Sequence, residues 1–389
     1  MDSETLPLDP AAYDRLRAAL TADGPLAAAD KLAAELHAAE DYQGLFYALL
    51  LKARVELGVP PFPTGPASDL PADTHERYEQ AIVEAGRKVG GLLLEKGELN
   101  KASGFFRLIG ETEQMRVALD AYTPGPDDDT YGVVEIAWQH GVHPKKGFDL
   151  ILDRHGVCSA ITMVGSADLS QRPEVRDYCV KRLVVALSEQ LRERLIGDLR
   201  HRGVSVSDTA TVPELLAADP GLFADDMYHI DTSHLNSVVQ YAGQLSPCDE
   251  LKLAIQLSEY GERLSPTLRG DAAPPFENTY ADYTPYLKVL AGIDVEAGLK
   301  HFHAKLAPAA QTGDTYPAEM LVTLYLRLDR LTDALAVAKE HLANTGGQEL
   351  SCPPLVELAR RAKDFAALAD AAKANADPVN YLAGLIAGR

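Results

Sequence analysis

The sequence predicts an all-α protein built of stacked antiparallel helical hairpins, an α-solenoid in outline. Three observations lead there: apolar residues recur at spacings of three and four along nearly the whole chain, most connections between such segments are short, and alternating β-branched stretches are few. With 389 residues the chain exceeds the size at which one core usually stops growing, so several regions or an elongated stack are expected. Changes in rhythm suggest three: N-terminal hairpins over 1–125, a central helical region over 126–263, and C-terminal hairpins over 264–389.

Taken in order, helices are predicted near 10–22, 25–39, 41–57, 73–96, 99–109, 112–121 and 129–141, then 145–155, 158–166 and 173–202. Further helices are expected near 212–218, 232–245, 248–263, 283–291, 294–306, 316–328, 331–344, 353–361, 364–374 and 377–387. The clearest is 173–202. Leu183, Leu187, Leu191, Leu195 and Leu199 repeat every four residues on one face, Pro173 and Glu174 suit the first turn, and Gly203 follows a basic last turn. Arg182, Arg192, Arg194, Arg200 and Arg202 on this helix are interleaved with Glu189 and Glu193, which favours a solvated, ion-paired face. Gly141 and Gly156 read as helix ends. Two proline-rich stretches, 58–72 and 265–282, read as loops, because each proline lacks a donor and restricts the residue before it. Val204-Ser205-Val206-Ser207 alternates but is brief, and the β-branched run 157–164 is ambiguous between helix and strand.

Charge and composition narrow the function classes. A net charge of −20 would repel a phosphate backbone, and no dense Lys/Arg cluster offsets it, so nucleic acid is not expected as a partner. The longest apolar run, 45–51, is far short of the roughly 20 residues that span a bilayer. The opening Met1-Asp2-Ser3-Glu4 is acidic where a secretory signal needs a basic end, and a cytoplasmic protein is expected. Four widely spaced cysteines suggest neither a disulfide framework nor a thiolate zinc site.

Three windows carry a repeat signal. In 92–109 the turn Lys96-Gly97-Glu98-Leu99 is followed by Ala102 and Phe106; in 321–342 the turn Asp329-Arg330-Leu331 is followed by Ala334 and Ala338; and in 355–373 Lys363-Asp364 is followed by Ala366, Ala369 and Ala372. A small residue lets two helices approach and an aromatic fills the gap to the next hairpin. The pattern resembles the tetratricopeptide repeat over about a quarter of the chain, without that family's Trp-x-x-Leu-Gly opening. The resemblance implies a scaffold that binds a protein or peptide along a groove.

The alternative is an enzyme. His229, Asp231 and His234 place two imidazoles and a carboxylate within six residues, a set able to hold a divalent metal such as Fe, Zn or Mn, with Asp231 also suited to cap the helix that follows. His140, His143 and His155 fall at helix ends, and His143 is a candidate to complete that metal site. Cys158 follows a glycine near a helix start, and with His229 as base and Asp231 as its orienter it would form a nucleophilic triad. His301 and His303, two apart on one helix, point in different directions and do not suit a shared metal.

Overall fold

A computed structural model describes residues 9–270, 276, 278–343, 345 and 349–389. Among these residues all regular structure is helical, and no helix is long and apolar enough to cross a membrane. Met1 to Glu4, and Pro274 and Pro275 of the second proline-rich stretch, lie outside the described residues. The chain divides into two compact units, Met1–Arg154 and His155–Arg389.

In the first unit, α1 (Pro10–Ala38) is two helical segments joined at Gly24, whose φ of +89° only glycine adopts freely. It pairs with α2 (Tyr42–Glu56), and α2 with α3 (Ala72–Glu95). Then follow α4 (Leu99–Leu108), α5 (Glu113–Ala121) and the short α6 (Tyr131–Val134), which runs into a π-turn at Glu135–Gln139. The first proline-rich stretch contains one 3₁₀ turn, Ala67–Asp69, where no proline intervenes. It is pinned by Arg54, a buried guanidinium that donates to the Pro60 carbonyl at 2.6 Å and lies over the Tyr78 ring. The next helix, α7 (Pro144–Ser166), spans the boundary between the units and has a non-helical residue at Gly156. Its second segment covers the β-branched run 157–164, where burial of Ala160 and Val164 decides for helix.

The second unit is organised first around α8 (Pro173–His201), whose five-leucine ladder is fully buried. Each such side chain contributes roughly 1.5–3 kcal/mol on leaving water. Against α8 pack α9 (Val212–Ala218), α10 (Thr232–Ala242) and α11 (Glu250–Arg263). The segment 204–207 forms no strand; Val204 closes the end of α8 by donating to the Leu199 carbonyl. From α11 onward each helix pairs with the next: α12 (Thr279–Leu290), α13 (Val295–Thr312), α14 (Tyr316–Arg327), α15 (Leu331–His341), α16 (Leu355–Arg361), α17 (Phe365–Ala374) and α18 (Pro378–Ala387).

Helices α12 and α13 extend beyond the predicted 283–291 and 294–306, and Pro285 and Pro308 lie inside them. A proline there costs one helical bond and strains the preceding turn. At α12 that cost is offset by burial of Tyr280, Asp282 and Thr284 before it and Tyr286 and Leu287 after it. Gly298 of α13 sits directly on the Pro285 carbonyl and Val289, an approach that any Cβ would block.

One turn recurs. At the exits of α1, α3, α14, α16 and α17 a single left-handed residue, respectively Glu40, Gly97, Asp329, Lys363 and Ala376, reverses the chain. In every case the next amide reaches back to a carbonyl five residues earlier: Asp41 to Leu36, Glu98 to Leu93, Arg330 to Tyr325, Asp364 to Ala359 and Asp377 to Ala372. This satisfies an end carbonyl of the finished helix and delivers the chain at once to the start of the next. The small residues after the turns behave as their spacing predicts at Ala102, Ala334, Ala338, Ala369 and Ala372, which are buried, and Phe106 fills the space over Gly90. Ala366 is exposed, one position off the buried face that starts at Ala367.

Candidate functional site

The segment preceding α10 is held by α8 and α11. Asp198, near the end of α8, accepts from Nε of Arg202 at 2.8 Å and lies 3.3 Å from Nε2 of His229. On the other side of the ring, Nδ1 of His229 is 3.2 Å from the hydroxyl of Tyr260 on α11, and that hydroxyl also accepts the His229 backbone N–H at 2.8 Å. Phe223 stands edge-on to the His229 ring and tilted against that of Tyr260. The His229 carbonyl accepts from Arg194.

Electrostatics sets the tautomer. Burial lowers the pKa of His229, against the opposing pull of Asp198, so the ring is neutral at neutral pH. Burial also acts to raise the pKa of Asp198, but its bonds to Arg202 and His229 outweigh this and hold it below the ordinary carboxylate value. An ionised Asp198 can only accept, so Nε2 carries the proton and Nδ1 accepts from Tyr260. Tyr260, fully enclosed, has its pKa pushed up to about 12 and stays protonated. Both ring nitrogens of His229 are therefore in use.

Asp231 is committed to the helix start: its Oδ1 accepts from the amides of Ser233 and His234 and from the Ser233 hydroxyl. His234 is half-buried in the first turn of α10. Among the described residues no group of three or more His, Cys, Asp or Glu side chains is placed to hold a metal ion, so His229, Asp231 and His234 do not converge as a ligand set. In the first unit, His143 bonds Asp120 through Nε2 at 2.6 Å and accepts the Lys146 amide at Nδ1, while His140 lies against Arg107. Cys158 is exposed, and the groups bonded to the His229 ring are Asp198 and Tyr260. The arginines of α8 bind the segment that follows: Arg192 and Arg200 reach Asp208, and Arg202 reaches the Gly221 carbonyl.

Two further buried carboxylates were not anticipated. Asp282, 1% exposed, takes Nε2 of His301 at 2.7 Å, Nζ of Lys305 at 2.8 Å and the Asn278 amide at 3.0 Å. Desolvation raises its pKa, but these donors prevail and the net shift is downward. His303 instead bonds the hydroxyl of Tyr325, so the two histidines of α13 do point to different partners. Glu319 on α14 accepts from Thr315 and from the amide and hydroxyl of Ser351, beside Cys352, whose thiol is pushed up to about 12 by burial and by the Glu319 charge. A lone carboxylate between Pro317-Ala318 and Met320-Leu321-Val322 was the available signal for Glu319; Asp282 had none.

A concavity lies between α9 and α11. It is an open groove of about 450 Å³ lined by Val212, Pro213 and Leu216 on one wall and Gln256, Glu259, Glu262 and Arg263 on the other. Arg263 ties the walls together by donating to the Leu216 carbonyl at 2.9 Å, and Glu259 pairs with Lys288 at 2.9 Å. Thr211 and Glu214 cap the start of α9 reciprocally.

No family model, curated protein or solved structure matches this chain.

Proposed function

We propose that this chain is a protein- or peptide-binding helical scaffold, with the groove between α9 and α11 taking a peptide that carries a basic residue beside an apolar one. The observation that carries the proposal is the groove's lining, in which Val212, Pro213 and Leu216 face Glu259 and Glu262. Its volume falls within the range of about 300–1,000 Å³ common for ligand sites. The net charge of −20 would steer a basic segment toward it. The successive hairpins of the second unit support the same role, since stacked helix pairs present surface without needing a catalytic centre.

The test is to pan a displayed library of random dodecapeptides against the whole chain, then to measure the selected peptides by fluorescence anisotropy. Enrichment of Lys or Arg next to Leu, Val or Pro is expected, with affinity falling about tenfold in the E259Q/E262Q double variant. No enrichment, or selected peptides indifferent to E259Q/E262Q, would overturn the proposal.

A further inference from the structure

The chain between α9 and α10 is strained, and one histidine anchors much of it. The 3₁₀ segment Pro220–Asp226 ends in two consecutive left-handed residues, Asp225 and Asp226, at φ of +55° and +59°, where an L side chain crowds its own backbone. This conformation is held from both ends. Before it, Leu222 is fully buried, Phe223 lies against Tyr260, and the Gly221 carbonyl accepts from Arg202. After it, His229 uses its backbone N–H and Nδ1 on the Tyr260 hydroxyl, Nε2 on Asp198, and its carbonyl on Arg194. These partners lie on α8 and α11 or, for Arg202, directly after α8.

We propose that His229 is an acid-operated latch: a proton from solvent on Nδ1 releases the segment 219–230 from α8 and α11 and so loosens one wall of the groove between α9 and α11. The part that concerns the groove rests on the peptide-binding reading above, whereas release of the segment does not. The balance of donors and acceptors carries the inference. In the closed state Nδ1 accepts the Tyr260 hydroxyl proton, while the same hydroxyl oxygen accepts the His229 backbone N–H. A proton on Nδ1 makes both His229 groups donors, so the Tyr260 hydroxyl proton loses its acceptor in a fully enclosed site. Tyr260 does not relieve this by ionising, because burial keeps it protonated. Among the described residues, the charged or titratable groups that face His229 are Asp198, Arg194 and Arg202 from α8 and its end, and Tyr260 from α11. Only Asp198 favours an imidazolium, and its charge is already shared with Arg202. In the released segment the ring regains water and its ordinary basicity, and the two aspartates leave their left-handed conformation. Acid therefore shifts the balance toward release. The groove follows because this segment continues directly from α9, and Tyr260 stands in sequence between Glu259 and Glu262 of the opposite wall.

Amide hydrogen exchange on the full chain, read by mass spectrometry of peptic fragments at about pH 7.5 and 5.5 and corrected for the intrinsic pH dependence of exchange, tests this. Protection over 219–230 is expected to fall by up to about tenfold, the ceiling for a released histidine that titrates near 6.5 and a latched one that resists the proton. Protection of the α8 leucine ladder is expected to stay unchanged, and in H229Q, which has no proton to gain, the fall over 219–230 should vanish. Equal loss along α8 or no pH-dependent loss over 219–230 would overturn the latch without need of a variant, and so would the same loss in H229Q. For the groove, peptides selected at about pH 7.5 should lose several-fold more affinity at about pH 5.5 in the parent than in H229Q. An equal loss would overturn the coupling to the groove. If no peptide is selected, the binding reading fails and the exchange result still decides the latch.

Discussion

Asp198 and His229, thirty-one residues apart in the chain, meet at 3.3 Å with the imidazole 7% exposed and neutral. A neutral buried histidine makes folding pH-dependent in a definite direction. The unfolded chain binds a proton at the ordinary imidazole value, near 6.5, while the folded chain resists it to lower pH. Stability from this group is therefore complete above that value and is lost as pH falls toward the depressed folded one. The downward shift of Asp198 adds a second loss with the same sign, in the lower window beneath the ordinary carboxylate range. Urea midpoints at about pH 7.5 and 5.5 should differ less in H229Q than in the parent, since glutamine has no proton to gain. An equal pH response in both would refute the neutral, buried assignment.

Tyr260→Phe removes one hydroxyl and leaves two buried His229 groups, the backbone N–H and Nδ1, without that partner. The expected loss is about 2 kcal/mol, since an orphaned buried polar group costs roughly 1–3 kcal/mol. Chemical denaturation measures it directly. A change below about 0.5 kcal/mol would mean that the hydroxyl bonds contribute little net stability.

Asp282→Asn keeps the shape of the side chain but removes the anion that Lys305 and His301 face. About 3 kcal/mol of destabilisation is expected, below the cost of a fully enclosed pair because Lys305 keeps some contact with solvent. The folded pKa of Asp282 is lowered, so its stabilisation is present above the ordinary carboxylate value and fades as pH falls through the folded one. The stability gap between parent and D282N should therefore narrow in acid; a gap independent of pH down to about 3 would count against the charge-pair account.

Ala376 turns the chain from α17 into α18 at a φ of +53°, where a Cβ costs roughly 1–2 kcal/mol. Ala376→Gly relieves that strain but adds freedom to the unfolded chain, so a net gain of up to about 1 kcal/mol is expected. Gly97→Ala, at the equivalent turn between α3 and α4 with a φ of +75°, should lose about as much. Thermal melts of the two variants with opposite signs support a shared turn geometry; the same sign in both would contradict it.

The helices were legible because their signal is local. The period of the α8 leucines, the glycines at 97, 141, 156 and 203, and Asp231 at the start of α10 each act within a turn or two of the residue concerned. Where the predicted 283–291 and 294–306 fell short of α12 and α13, the missing information was burial, which comes from contacts with other helices. The cap at Asp231 was readable for the same local reason, whereas a metal set with His229 and His234 also required that three side chains point inward together, which helix spacing alone does not ensure.

By itself the sequence determined an all-helical chain, most helix boundaries, the acidic character and the histidine segment at the start of α10. Tertiary structure decided what those groups do. It set Asp198 and Tyr260 on either side of His229, enclosed Asp282 and Glu319 among donors from distant positions, and turned the large side chains of α18 away from its own hairpin. Helix formation follows from neighbours four residues apart, but hydrogen-bond partners and free faces depend on which helices pack together, and that is fixed only when the whole core is closed.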